Sequence, residues 1–294
     1  MIQTTSIICI KHRLARWVAL SFVLVASSNA AVVPHDQSYA GKTYPEWMAA
    51  SWISSWAIPS TQVGGADLRS ESSRVWYLWA VGSPNPATLY IRVPHDQALF
   101  VTFDGVACSI VEEPPFHGGN EAELLAALAK FRLAPPFCEI DGIPVPDLNR
   151  HEFISPLFDF YYPSPNIGGV PGSGWSKGMG RGTSVLVHSL TPGLHTIHFR
   201  GGSGIDDNDY SWDVTYQITV YTRPTITIRT ISGTNLLELS WPVTSGFVLE
   251  EADSLNSSAT WRNATVLSTN IAEDIQSATV TTVPTSRFYR LHQR

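Results

Sequence analysis

Trp212-Asp-Val-Thr-Tyr-Gln-Ile-Thr-Val220 places an apolar residue at every second position, with Asp213, Thr215, Gln217 and Thr219 between them. That alternation has the two-residue period of a strand with one buried face. A half-buried strand needs neighbours on its edges and a second layer over its apolar side. Candidate neighbours lie upstream. Arg74-Val-Trp-Tyr-Leu-Trp-Ala-Val81, Thr88-Leu-Tyr-Ile-Arg-Val93 and Ala98-Leu-Phe-Val-Thr-Phe103 are short, β-branched or aromatic, and bounded by Gly, Pro, Asn or Asp. Phe137–Val145 and Arg150–Ser155 read as further strands. Thr183–Ser189 and Leu194–Arg200 read as a hairpin about Thr191-Pro192-Gly193, where Pro presets φ and Gly accepts a positive one. That register would set His188 opposite His195. Pro163 to Gly182, rich in Gly and Pro, reads as a long loop.

Two helices interrupt the strands. Thr43-Tyr-Pro-Glu46 fits a capping box with Pro45 in the first turn, and Pro59 ends the segment. Tyr44, Met48, Trp52 and Trp56 recur every four residues, with Trp47 alongside. Such a stripe packs on a sheet face; the competing reading is an aromatic platform for sugar. Asn120-Glu-Ala-Glu123 caps a second, shorter helix carrying Leu124, Leu125, Leu128 and Phe131. The pentapeptide Val-Pro-His-Asp-Gln occurs at 33–37 and again at 93–97, without the persistent period of a structural repeat.

Composition shifts near Arg223-Pro224. From 225 onward the chain is rich in Thr, Ser and Val, with short strands expected at Ile226–Ile231, Leu236–Trp241, Gly246–Glu251, Thr260–Arg262, Val266–Thr269, Ser277–Val283 and Arg287–Leu291. That spacing suits a small sandwich of the immunoglobulin or fibronectin III kind. The expected fold is therefore all-β. An antiparallel, jelly-roll-like β-sandwich spans 40–222, with a packed N-terminal helix and one further short helix. An Ig-like module spans 225–294.

The 294 residues are 44% hydrophobic but only 15% charged, too apolar for a disordered chain. No Lys- or Arg-rich block exists, so nucleic acid is not an expected partner. Residues 1–30 carry Lys11, Arg13 and Arg16, then an apolar run from Trp17 to Ala26, then Ser28-Asn29-Ala30. This is the pattern of a secretory signal peptide, and the run is too short for the ~20 residues of a spanning helix. The expected protein is secreted, periplasmic or on the cell surface, with no membrane insertion after signal removal. Loss of three basic residues would take the formal net charge from −6 to −9. Cys9 leaves with the signal. Cys108 and Cys138 remain, and in an oxidising compartment a disulfide between them is the leading expectation, with two buried thiols as its rival.

Several segments resemble a family of exported bacterial proteins with a β-sandwich core. They are Gly41–Trp56, Val75-Trp-Tyr-Leu-Trp-Ala-Val-Gly82, Arg92-Val-Pro, Asp141-Gly-Ile-Pro-Val145, Leu190–Phe199 and Asp213–Val220. Phe100-Val-Thr-Phe103 departs from the Phe-Phe-Pro run usual there. The tail, through Leu239-Ser-Trp-Pro242, Gly246–Glu250, Trp261 and Phe288-Tyr-Arg-Leu291, resembles C-terminal modules of exported proteins from Planctomycetes and Verrucomicrobia. The first resemblance implies fold and export; the second implies an accessory or stabilising module.

Chemistry is sparse. No H-E-x-x-H helix occurs, and no nucleophile elbow is expected: Gly174-Trp-Ser-Lys-Gly178 spells G-x-S-x-G but lies in the Gly- and Pro-rich stretch without a strand-to-helix pattern around it. Asp206-Asp207-Asn208-Asp209 is the densest acidic cluster, and its oxygens make Asp206, Asp207 and Asp209 candidate calcium ligands against the reading of a solvated turn. No other cofactor is expected. Asp104, Glu112, Glu113, Asp141, Glu152 and Asp159 are available for paired-carboxylate hydrolysis, although Glu112-Glu113 before Pro114-Pro115 reads better as a loop rim. The leading expectation is a non-catalytic binding or surface-interaction protein, its partner a polysaccharide or a cell-surface protein. A secreted polysaccharide hydrolase or lyase and a structural cell-surface component are the alternatives. Acids converging in a cleft would favour the enzyme, exposed coplanar aromatics the binder, and a filled core without a cleft the structural protein.

Overall fold

The computed structural model describes residues 31–62, 74–79, 85–206, 208–243, 246–256, 259–282 and 286–293. The expected signal peptide lies outside the described residues. In chain order the strands of the larger unit are β1 (Ala31–Val32), β2 (Val75–Leu78), β3 (Ala87–Pro94), β4 (Ala98–Ser109), β5 (Arg132–Leu133), β6 (Phe137–Ile140), β7 (Ile143–Pro144), β8 (Glu152–Ile154), β9 (Phe158–Tyr162), β10 (Gly174–His188), β11 (Gly193–Ile205) and β12 (Asn208–Tyr221). Helix α1 is Tyr44–Trp56 and α2 is Glu121–Leu128. Seven more strands follow: β13 (Thr227–Ile231), β14 (Leu236–Pro242), β15 (Phe247–Ala252), β16 (Arg262–Asn263), β17 (Ser268–Ala272), β18 (Ile275–Thr281) and β19 (Phe288–Gln293).

The chain is an all-β sandwich protein. In the first sheet β10 holds β4 on one edge and β1, β8 and β9 in succession on the other, with β2 beyond β4. The second sheet runs β3-β12-β11-β6-β7, with β5 also on β11. Most pairs are antiparallel, but β2–β4 and β3–β12 are parallel, because the chain passes between sheets from β2 to β3 and back to β4. The alternating stretch on β12 buries Val214, Tyr216, Ile218 and Val220 against Leu99, Val101, Phe103, Val185 and Val187 of the first sheet.

The expected hairpin about Pro192 is not formed. β10 and β11 lie in different sheets, and the Ser189–Pro192 segment is a corner between layers. Both strands carry an apolar face, Val185 and Val187 on one, Ile197 and Phe199 on the other. These faces meet across the core, which stacks the strands instead of pairing them edge to edge. His188 and His195 are therefore not cross-strand neighbours. The hairpin partner of β11 is β12, in register from Gly193↔Val220 to Ile205↔Asn208.

The expected loop from Pro163 to Gly182 is also shorter, since β10 begins at Gly174. Its glycines answer to packing. A Cβ at Gly178 would press on the rings of Phe158 and Phe160, one at Gly180 would overlap the Trp52 indole, and one at Gly182 would overlap the Asp104 carbonyl. These residues let a sheet face and a neighbouring strand approach a backbone that bears no side chain.

The aromatic stripe of α1 packs on the outer face of the first sheet, where Tyr44, Trp47, Met48, Trp52 and Trp56 meet Tyr77, Phe100, Phe158, Phe160 and Leu186. Its capping box is present, with the Thr43 amide donating to Glu46 Oε2 at 2.7 Å. The Tyr44 hydroxyl donates to the Val33 carbonyl at 2.7 Å and accepts from the Leu186 amide at 3.0 Å, tying helix to sheet. α2 caps one end of the sandwich, with Leu124 and Leu128 over Val106, Cys108 and Met179.

The expected disulfide is absent. Cys108 and Cys138 are buried free thiols. Cys108, on β4, packs under α2, whereas Cys138, on β6, packs between the sheets, so the two sulfurs belong to separate apolar clusters. Burial pushes the Cys108 thiol up to about 12 and raises Cys138 as well, which leaves both protonated and unreactive.

The C-terminal strands form a four-stranded sheet, β13-β14-β18-β17, and a three-stranded sheet, β16-β15-β19. Leu239, Trp241, Ala278 and Val280 make the core between them. Glu251, 1% exposed, is held by Arg262 and Arg287, each at 3.2 Å.

Candidate functional site

β2 pairs with β4 only from Ala98 to Val101, so among the described residues no strand continues along that edge of β4. A cleft of about 290 Å³ opens there. α1 supplies Trp52 and Trp56 from its last two turns. β4 supplies Gly105, Val106 and Ala107, and the segment after it supplies Glu112 and Phe116. Phe131 beyond α2, Ile167-Gly168, Ser203–Ile205 and Tyr210 complete the wall.

The glycines make room for the two indoles. A Cβ at Gly105 would lie 3.4 Å from Trp52, and one at Gly168 would overlap the tip of the Trp56 ring. Trp79 packs edge-on to Trp52 at 4.5 Å, and Phe160 packs against Trp56 at 4.7 Å. The indole N–H groups of Trp52 and Trp56 are buried and have no partner among the described residues.

Glu112 is the acidic member of this wall. Its Oε2 is buried without a hydrogen-bond partner among the described residues. Burial pushes its carboxyl up to about 7, and a hydrogen bond from Ser109 pulls the other way. His117 Nδ1 meets the Glu112 carbonyl oxygen at 2.9 Å and braces the loop. A carboxyl expected at a loop rim thus has one oxygen buried, and Phe116 of the same wall packs on Phe131 with ring centroids 5.1 Å apart.

The other candidate carboxyls are placed elsewhere. Asp104 is fully buried at the β4–β10 irregularity, where Oδ1 accepts from the Thr183 amide and Oδ2 has no partner among the described residues. Burial pushes it up to about 7. Glu152 pairs with Arg181 at 2.7 Å and Asp159 with Lys177 at 2.6 Å. Asp141, at the turn between β6 and β7, meets His195 Nδ1 at 2.8 Å and accepts from the Thr196 amide at 2.7 Å. His195 Nε2 donates to the Thr191 carbonyl at 2.8 Å. With that nitrogen committed to a backbone oxygen, the pair resembles a His–Asp dyad but acts as a staple fastening the β6–β7 turn to β11. Of the six carboxyls, Glu112 alone lines the cleft.

The acidic cluster sits at the tip of the β11–β12 hairpin. Asp206 takes a positive φ of 54°, which Asp tolerates in a tight turn. Arg132 Nη2 donates to the Asp206 carbonyl at 2.6 Å and meets Asp209 Oδ1 at 2.9 Å, so a guanidinium already supplies a counter-charge. Asp207 lies outside the described residues. Among the described residues no group of three or more His, Cys, Asp or Glu is arranged to hold a metal ion.

A second aromatic surface lies on the β9–β10 hairpin. Trp175, 75% exposed, stands beside Tyr161 with ring centroids 5.7 Å apart and planes 65° apart. The rings meet edge to face and are not coplanar.

No protein-family model matches the chain, and no curated protein matches it. Among solved structures, it is similar to a chimeric titin Z1Z2 functionalized with a KLER exogenous peptide from decorin, at 9% identity over 71% of this chain and 92% of that one. It is also similar to bovine butyrophilin, at 10% identity over 72% and 96%. Both give a TM-score of 0.18, at which the likeness carries no argument.

Proposed function

We propose that this protein is exported and acts by binding, without catalysis, with carbohydrate as its ligand class and the cleft between α1 and the free edge of β4 as its binding site. The supporting observation is the make-up of that cleft: aromatic rings from four segments and one carboxyl. Aromatic faces stack on the apolar faces of a ring, and a few fixed polar groups set its orientation. Glycoside hydrolysis ordinarily uses two carboxyls flanking one bond, and the single acid in the wall among the described residues favours the binder. Export rests on the basic, apolar and small-residue order of residues 1–30.

Retention of the purified protein on a panel of insoluble and soluble polysaccharides, with calcium or EDTA present and released sugars assayed in the same tubes, tests this reading. Retention without sugar release is the expected result. Sugar release would replace it with a hydrolase or lyase. No retention and no release would remove carbohydrate and favour a structural or protein-binding role. Retention lost in EDTA would make the binding dependent on a divalent cation.

A further inference from the structure

Glu112 poses a chemical problem that its own surroundings leave unsolved. A carboxyl withdrawn from water is stable when a cation or several donors compensate it. Here Oε2 has no partner among the described residues, and a hydrogen bond from Ser109 lowers its proton affinity. Among the described residues no Lys, Arg or His lines the cleft. The rest of the wall is largely aromatic side chains and backbone: Trp52, Trp56, Phe116, Phe131 and Tyr210 around Gly105 and Gly168. An aromatic enclosure with one carboxylate attracts an organic cation twice, through the ring quadrupoles and through the charge. A neutral sugar would satisfy the rings and leave the acid uncompensated. The chain as a whole is acidic, with 25 Asp and Glu against 19 Lys and Arg, so its long-range field also favours a cationic ligand.

We propose that the Glu112 cleft recognises an organic ammonium group, seated among Trp52, Trp56 and Tyr210 with its charge on the Glu112 carboxylate. This rests on the reading of the cleft as a binding site and narrows its ligand to one chemistry. That chemistry has two sources, a small free alkylammonium or the amino group of an unacetylated amino sugar. The second joins the cation to the saccharide proposed above. Glu112, held up to about 7 while uncompensated, ionises fully when the ammonium arrives, because an opposite charge at contact favours the charged form.

Intrinsic tryptophan fluorescence of the purified protein, titrated at pH 7.5, reads occupancy beside Trp52 and Trp56. Two matched pairs of probes separate charge from shape. Choline is compared with its neutral isostere 3,3-dimethylbutan-1-ol, and glucosamine oligomers with N-acetylglucosamine oligomers of equal length. The expected result is that at least one cationic probe binds at least tenfold more tightly than its neutral partner. Preference for choline assigns a free alkylammonium, and preference for the glucosamine oligomer assigns an amino sugar. Glu112→Gln, nearly isosteric, should remove that preference while leaving thermal unfolding within a few degrees. Should that variant unfold, Tyr210→Ala serves instead, because Tyr210 is 64% exposed and its loss should weaken the cation severalfold without touching the core. Equal affinity within both pairs overturns the ammonium proposal while leaving the cleft as a binding site. Retention on neutral polysaccharide that neither variant alters overturns the cleft as the site and leaves a binding protein whose ligand sits elsewhere. No response to any probe overturns the ammonium proposal as well.

Discussion

Gly180 lies against the pyrrole edge of Trp52, so that a Cβ at position 180 would overlap the indole nitrogen. The contact sets the position of a cleft wall from a strand on the far side of the ring. Gly180→Ala must move Trp52 or bend β10, and overpacking of this kind costs about 1–3 kcal/mol. The expected outcome in urea is a lower unfolding midpoint with an unchanged slope, together with altered tryptophan emission in the folded state.

Two thiols should remain free. Cys108 and Cys138 are buried in separate clusters with proton affinities raised by burial. A thiol reagent should find neither in the folded chain and both after unfolding, and reductant should leave the melting temperature unchanged. A mass lower by two hydrogen atoms, or a fall in melting temperature with reductant, would restore the disulfide. Replacing either cysteine by Ala should cost about 1–2 kcal/mol through lost packing.

Stability should fall as pH rises through the weakly acidic range. In the unfolded chain Asp104 titrates near ~3.9, whereas the folded chain holds its proton up to about 7. Between those values the folded state binds more protons than the unfolded one, so each step up in pH favours unfolding. Glu112, also raised to about 7, acts with the same sign. Asp104→Asn keeps an oxygen for the Thr183 amide and removes the ionisation. Its stability relative to the wild type should rise between about pH 4 and pH 8, by roughly 1–3 kcal/mol at the upper end, as chemical denaturation at each pH would show.

Glu251 anchors the C-terminal sandwich through Arg262 and Arg287. Glu251→Ala leaves both guanidinium groups without their buried partner. Breaking one side of such a cluster costs about 2–4 kcal/mol where the arginines keep some access to water. Calorimetry of the variant should show a lowered transition for this module, and Glu251→Gln should lose less.

Local instructions were readable along the chain. The two Val-Pro-His-Asp-Gln segments fold the same way, each closing a turn from the Gln amide to the Pro carbonyl, Gln37 to Pro34 at 2.9 Å and Gln97 to Pro94 at 3.1 Å. Thr43 and Glu46 form their capping box, and Asn120 caps α2 by accepting from the Glu123 amide at 3.1 Å. Each expected strand beyond residue 225 has a counterpart within a few residues. These features depend on neighbours a few positions apart, and the chain states them directly.

Other features depend on who packs against whom. Gly178, Gly180 and Gly182 looked like loop residues because their reason for being small, the rings of Trp52, Phe158 and Phe160 and the Asp104 backbone, comes from distant segments. His188 and His195 looked like partners because the turn between them resembles a hairpin turn, until the apolar faces of their strands met across the core. Glu112 carried no signal of its own. Its buried oxygen belongs to a wall that α1, β4 and the segments about Phe116, Phe131 and Gly168 build together.

The sequence by itself determined the class of fold, the two capped helices, the seven short C-terminal strands and the acidic balance of the chain. Periodicity, caps and composition are local or additive properties. Only the tertiary structure decided which strands share a sheet, that the cysteines stand apart, that Asp141 and His195 form a staple, and that Glu112 shares a cleft with Trp52 and Trp56. Those outcomes are set by the face each residue presents to a second layer, and that layer comes from elsewhere in the chain.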